Sequence, residues 1–137
     1  MTTAEQNKEV VRAFYDALQR EDYPAAAALC HEDFVFYFQL DTPIPGTAGF
    51  VASEKKNFDA FPGFRFTIES LFAAGDQVAA YMIFDGQHGA EWEGVAPTGN
   101  RVRFSLMMLL RLLDGKIVEK RAHFDRHDIR QQVVGQG

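Results

Sequence analysis

The sequence predicts an α+β fold in which helices come first and cover one face of an antiparallel sheet. Three observations carry this reading. Apolar residues recur at helical spacing in the first part of the chain, then alternate at period two from Phe64 onward. Turn signals separate the alternating runs, and Asp114-Gly115 is the strongest of them. The run Arg101–Leu113 places Phe104, Leu106, Met108 and Leu110 on one strand face and Met107 and Leu109 on the other. An antiparallel strand that is apolar on both faces needs two covers: helices on one side, and a ligand cavity or a partner subunit on the other.

The elements follow in order. Thr3 with Gln6 makes a capping box, and Val10, Val11, Phe14, Tyr15 and Leu18 then form the apolar stripe of a first helix. Asp22 caps a second, alanine-rich helix through Ala25–Leu29, with Pro24 in its first turn. Cys30 ends it as a small buried hydrophobe. Phe34–Phe38, aromatic and β-branched, reads as a short strand, and Pro43, Pro45 and Gly46 break the chain after it. A third helix covers roughly Ala48–Phe61 and stops at Pro62-Gly63. A meander follows: a strand from Phe64, a turn at Gly75-Asp76, a strand Val78–Phe84, a glycine-rich loop Gly86–Gly99, the strand Arg101–Leu113, and a return strand Lys116 to about Asp125. No repeat or linker interrupts the order, so residues 1–137 read as a single domain.

Composition narrows the function classes. A net charge of −5 and a pI near 5.3 lack the clustered basic face that nucleic acid requires, so no nucleic-acid partner is expected. One cysteine excludes an internal disulfide and a zinc ribbon. Neither a leader-like apolar segment nor a membrane-length apolar run is visible, so the chain is expected to be cytoplasmic and off the membrane. Thirteen phenylalanines exceed what a minimal core needs and point to an aromatic core or an aromatic-lined cavity.

Three segments together resemble the SnoaL-like polyketide cyclases, also called ester cyclases, of the NTF2-like superfamily. They are Gly86-Gln-His-Gly-Ala-Glu-Trp-Glu-Gly-Val-Ala-Pro-Thr-Gly99, Leu113-Asp-Gly-Lys-Ile-Val-Glu119 and Phe124-Asp-Arg-His-Asp-Ile-Arg-Gln-Gln132. The resemblance implies an NTF2-like cone, a curved sheet wrapped by three N-terminal helices around an internal pocket. It implies assembly into a homodimer or higher homo-oligomer through the sheet, and a hydrophobic carbonyl substrate. It also implies intramolecular aldol chemistry with neither cofactor nor metal, run by a carboxylate near the end of the last strand. This chain carries Arg121 where the family commonly has tryptophan, and Ser105, Met107 and Leu109 where some cyclases place a histidine.

If Lys116–Asp125 is one regular strand, Ile117, Glu119, Arg121, His123 and Asp125 share a face, with His123 and Asp125 roughly 6.5 Å apart. With that face inward, Asp125 is the candidate general base and His123 the donor to an enolate oxygen. Arg121 would bind a substrate carboxylate or lower the pKa of Asp125. Tyr37, His88, Trp92 and Met107 are candidate substrate contacts. The plainer alternatives are that Asp125 pairs with Arg126 or Arg130 or caps a following turn, and that His88 makes a structural hydrogen bond. His123, Asp125 and His127 alternate, but along one strand they span roughly 13 Å, too far to share a metal. Isomerisation, dehydration or epoxide hydrolysis would use similar parts. A non-catalytic binder of small hydrophobic molecules and a protein-interaction module stay open beside the enzyme.

Overall fold

The computed structural model describes residues 2–38 and 42–135. Helix α1 (Thr3–Gln19) starts one residue earlier than its spacing predicts, because the capping box is Thr2 with Glu5 rather than Thr3 with Gln6. The Thr2 hydroxyl accepts the Glu5 N–H at 3.2 Å, and the Glu5 carboxylate accepts the Thr2 N–H at 3.0 Å. A carboxylate in the first turn also meets the positive end of the helix dipole, which an amide cannot do as well. Asp22 caps α2 (Tyr23–Ala28) by accepting the Ala25 N–H at 3.2 Å.

Strand β1 (Cys30–Phe38) begins earlier than the aromatic run suggests, and Thr42–Pro45, read from sequence as a break, is strand β2 paired to it. Both prolines are tolerated because β2 is an edge strand. Helix α3 (Thr47–Asp59) leads into β3 (Arg65–Ala74), β4 (Gln77–Gln87), β5 (Arg101–Leu113) and β6 (Lys116–His123). Asp114 and Gly115, both at positive φ, make the tight turn between β5 and β6. A fourth helix, α4 (Arg126–Val134), follows where sequence reading has no helix.

The six strands form one open sheet in the order β2-β1-β6-β5-β4-β3. Every pairing is antiparallel except β1 with β6, so the expected all-antiparallel sheet is in fact mixed. The chain between β1 and β6 takes in α3 and the whole meander, long enough to return in either direction.

One face of the sheet carries the core. Val11, Phe14, Tyr15, Ala17 and Leu18 of α1 join Val78, Ala80 and Met82 of β4 and Leu110 and Leu112 of β5 in one core there. Phe58, Phe64, Phe84 and Phe104 stack in succession with ring centroids 4.3, 5.7 and 5.0 Å apart. The phenylalanine excess thus builds a wall across the strands. Aromatic pairs of this kind each add about 0.5–1.5 kcal/mol beyond area burial. The opposite face is bare in the chain: Met107, Leu109 and Leu113 of β5 are 45%, 37% and 49% exposed, and Tyr81 of β4 is 38% exposed.

The return strand is irregular. Arg111 pairs with Glu119, but the next residue, Leu112, pairs with Ile117, so Val118 is an extra residue on β6. Such a bulge reverses which side chains face the core. Ile117 points inward before it; Lys120 and Ala122 point inward after it. Glu119, Arg121 and His123, expected inside, lie toward the outer face.

Candidate active site

The inner face, α1, α3 and α4 enclose a cavity of about 330 Å³. Its walls are mostly apolar, with Phe58, Phe66, Phe84, Phe104 and Phe124 beside Leu18, Met82 and Met108. Trp92, 7% exposed, closes part of it from the loop between β4 and β5. At the mouth Arg126, from the first turn of α4, forms an ion pair with Glu93 of that loop.

Besides Ser53, Lys56, Asn57, Glu93 and Arg126, the lining includes Lys120, Glu54 and Tyr15. Lys120, 1% exposed, reaches in from β6. Its ammonium lies 4.8 Å from the ring centroid of Phe36, 5.3 Å from Phe50 and 5.9 Å from Tyr15. Among the described residues its hydrogen bond is a weak donation to the Met108 sulfur at 3.6 Å. Among the described residues no carboxylate lies within ion-pair distance of it. Burial therefore drives the lysine pKa below its usual 10.5, opposed by the charge of Glu54 and then of Cys30.

Glu54 enters the same cavity from α3. It keeps some solvent contact through the cavity, while protein surrounds it densely. Desolvation raises its pKa above the usual 4.5, and the Lys120 charge offsets this in part. Tyr15 of α1 supplies the third group, a buried hydroxyl without a hydrogen-bond partner among the described residues. Its pKa is raised well above 10.0, first by burial and then by the negative charge of Glu54 and Cys30, so it remains a donor. Cys30 is buried as expected; burial raises its pKa to about 12, which keeps it a thiol.

The residues expected from sequence fall elsewhere, with one exception. Trp92 lines the cavity. Asp125 is exposed and caps α4, accepting the Asp128 N–H at 3.0 Å, the plainer of the two roles open to it. His123 is exposed too, and both border a shallow surface depression shared with Ser105, Met107 and Asp128. The geometry thus gathers His123, Asp125 and Met107, but outside the enclosed hollow that the catalytic reading of Asp125 requires. Arg121 lies over the Tyr37 ring at 4.0 Å and pairs with Glu119 at 3.3 Å, toward the outer face. The bulge at Val118 is the physical reason: it turns the expected parity of β6 over, and no carboxylate of that strand enters the cavity.

His88 is fully buried and is absent from the cavity wall. Its Nδ1 accepts the Thr98 N–H at 3.2 Å, and the Thr98 hydroxyl donates to the Val133 carbonyl at 2.8 Å. Asn100 donates to the same carbonyl at 3.0 Å. The glycine-rich loop with its Pro-Thr-Gly end therefore ties β4 and β5 to the C-terminal turn of α4. This is the structural hydrogen bond left open as an alternative for His88.

Sequence reading misses Lys120 and Glu54. For Glu54 a signal exists: Phe50, Glu54 and Phe58 share one helical stripe at a spacing of four, and both phenylalanines are buried. Taken with Lys55 and Lys56, Glu54 reads as part of a solvated face, yet only the two lysines are exposed. For Lys120 no local signal exists, because its facing depends on the bulge.

Comparison with known proteins agrees with the fold. The chain is similar to AclR, a proposed hydroxylase from Streptomyces galilaeus, at 26% identity and a TM-score of 0.88, covering 98% of this chain and 100% of that one. It is similar to a proposed SnoaL-like polyketide cyclase from Jannaschia sp. CCS1 at 21% identity, TM-score 0.91, covering 100% and 98%. A LEH-like epoxide hydrolase of M. tuberculosis matches at 22% identity, TM-score 0.75, covering 97% and 92%. Among curated proteins none matches. No helix among the described residues is long and apolar enough to cross a membrane. The sequence profile described as SnoaL-like polyketide cyclase matches residues 8–133, in keeping with the curved sheet, the helices that wrap it and the cavity they enclose, and the chain belongs to that family.

Proposed function

We propose that the protein is an acid/base enzyme acting on a hydrophobic carbonyl compound held in the cavity, with Glu54 as the base. The observation that carries this reading is a half-buried carboxyl and a buried amine entering one aromatic hollow. Proton removal next to a carbonyl needs a base whose pKa is brought toward neutrality, and desolvation moves Glu54 in that direction. The developing enolate oxygen needs donors in a site poor in water. The Tyr15 hydroxyl, without a hydrogen-bond partner among the described residues, and the Lys120 N–H groups supply them. An enolate formed this way can attack a second carbonyl of the same molecule, which is the intramolecular aldol closure the family resemblance implies.

The test follows the first proton transfer and requires no knowledge of the natural substrate. The bicyclic ketone 2-tetralone is incubated with the protein in deuterated water, and exchange next to the carbonyl is read by NMR. Binding is followed by quenching of Trp92, the chain's one tryptophan, which lines the cavity. Glu54→Gln is expected to slow exchange by about 10²–10⁴-fold with binding retained. Asp125→Asn, which keeps the helix cap, is expected to leave exchange unchanged. The rate on the wild type should rise with pH along a limb displaced above 4.5. Equal exchange by wild type and Glu54→Gln, or loss in Asp125→Asn alone, would overturn the assignment.

We further propose that the bare sheet face is where a second copy docks. Tyr81 and Met107 are register partners, Leu109 stands next along β5, and the paired charges Arg111, Glu119 and Arg121 carry both signs beside them. Such a patch complements itself about a two-fold axis. Leu109→Glu should shift light-scattering mass from dimer to monomer; a wild-type monomer at all concentrations would dismiss the idea.

A further inference from the structure

We propose that Lys120 is a covalent capture site for aldehydes and ketones, its amine condensing with the carbonyl of the molecule in the cavity to give an imine and water. The proposal rests on the carbonyl reading above and goes beyond it by assigning a bond. It starts from the surroundings of Nζ. A lysine kept as a structural cation has a carboxylate or several carbonyl oxygens around it. Lys120 has three aromatic faces, a thioether and an open hollow. Nothing there holds the proton firmly, and desolvation favours the free amine. A free amine in an apolar pocket is a nucleophile toward carbonyl carbon.

The step balances with groups already present. The Nζ lone pair forms a C–N bond to the carbonyl carbon as the C=O pair moves to oxygen. One N–H proton passes to that oxygen through the Glu54 carboxyl and gives a carbinolamine. The second N–H proton reaches the same oxygen, which leaves as water while the nitrogen pair closes the C=N bond. Glu54 carries protons both ways, and desolvation moves its pKa in the direction that suits such a carrier. Once protonated, the imine withdraws electrons from the neighbouring carbon more strongly than the parent ketone. Loss of a proton from that carbon to Glu54 then gives an enamine able to attack a second carbonyl.

The test uses 2-naphthaldehyde with cyanoborohydride at neutral pH, followed by peptide mass spectrometry. The chain has five lysines, at 8, 55, 56, 116 and 120; Lys56 also lines the cavity, so Lys8, Lys55 and Lys116 are the internal controls. Reductive trapping should add the mass of the aldehyde less one oxygen at Lys120, at about tenfold or more the level on each control. Lys120→Met should remove this adduct while Trp92 quenching still reports binding. Quenching with Lys120 no more labelled than the controls overturns the covalent proposal and leaves the acid/base reading standing. Neither quenching nor labelling overturns both.

Discussion

Lys120 and Arg121 are neighbours in sequence, and the sheet sends them to opposite fates. Arg121 lies toward the outer face, stacked on Tyr37 and paired with Glu119, where a planar guanidinium can satisfy itself against an aromatic face and a carboxylate at once. Lys120 lies inside, with a sulfur for its hydrogen bond and aromatic rings for its charge. Cation–π attraction of about 2 kcal/mol in a desolvated site does not repay several kcal/mol of lost hydration. The outer cation therefore stabilises the fold slightly, whereas the inner one strains it. A fold that accepts this strain next to an open cavity puts a reactive group where a guest would lie.

The sharpest way to break this contrast is Lys120→Met, which keeps the volume and removes the charge. It should stabilise the fold by roughly 1–4 kcal/mol at neutral pH in denaturant unfolding. Because the folded-state pKa of Lys120 is lowered, the unfolded chain binds more protons between that value and 10.5. The cost of Lys120 is therefore full below the folded pKa and fades as pH rises toward 10.5. The gain from Lys120→Met should shrink over the same range; a loss of stability at pH 7 would mean the lysine is structurally satisfied. A smaller effect is expected outside. Arg121→Ala should cost about 1 kcal/mol or less, diminish with added salt and leave 2-tetralone exchange untouched. A larger loss, or a lost activity, would mean the outer network supports the site after all.

Much of the fold is legible in the sequence because it rests on local regularities. The stripe Val11, Phe14, Tyr15 and Leu18 places α1 on the core, Asp22 starts α2, and Asp114-Gly115 turns β5 into β6. The doubly apolar β5 calls for two covers, and the structure puts helices and cavity together on its inner face while Met107, Leu109 and Leu113 of the outer face stay exposed. The shortfalls have equally local causes. β2 hides behind two prolines that only an edge strand tolerates. α4 hides behind Asp125, which ends one element by capping the next. Of the candidate substrate contacts named from sequence, Trp92 lies in the cavity lining.

The sequence by itself determined the first three helices, the strands of the meander and an aromatic interior, since these follow from periodicity, turn chemistry and composition, while the resemblance of three segments carried the family. Only the tertiary structure decided which polar groups enter the cavity. A single extra residue at Val118 turns β6 over, so Lys120 replaces Arg121 and His123 inside. The helix packing of α3 then brings Glu54 to the same wall. Facing is a property of paired strands and packed helices, and no window of one chain contains both partners.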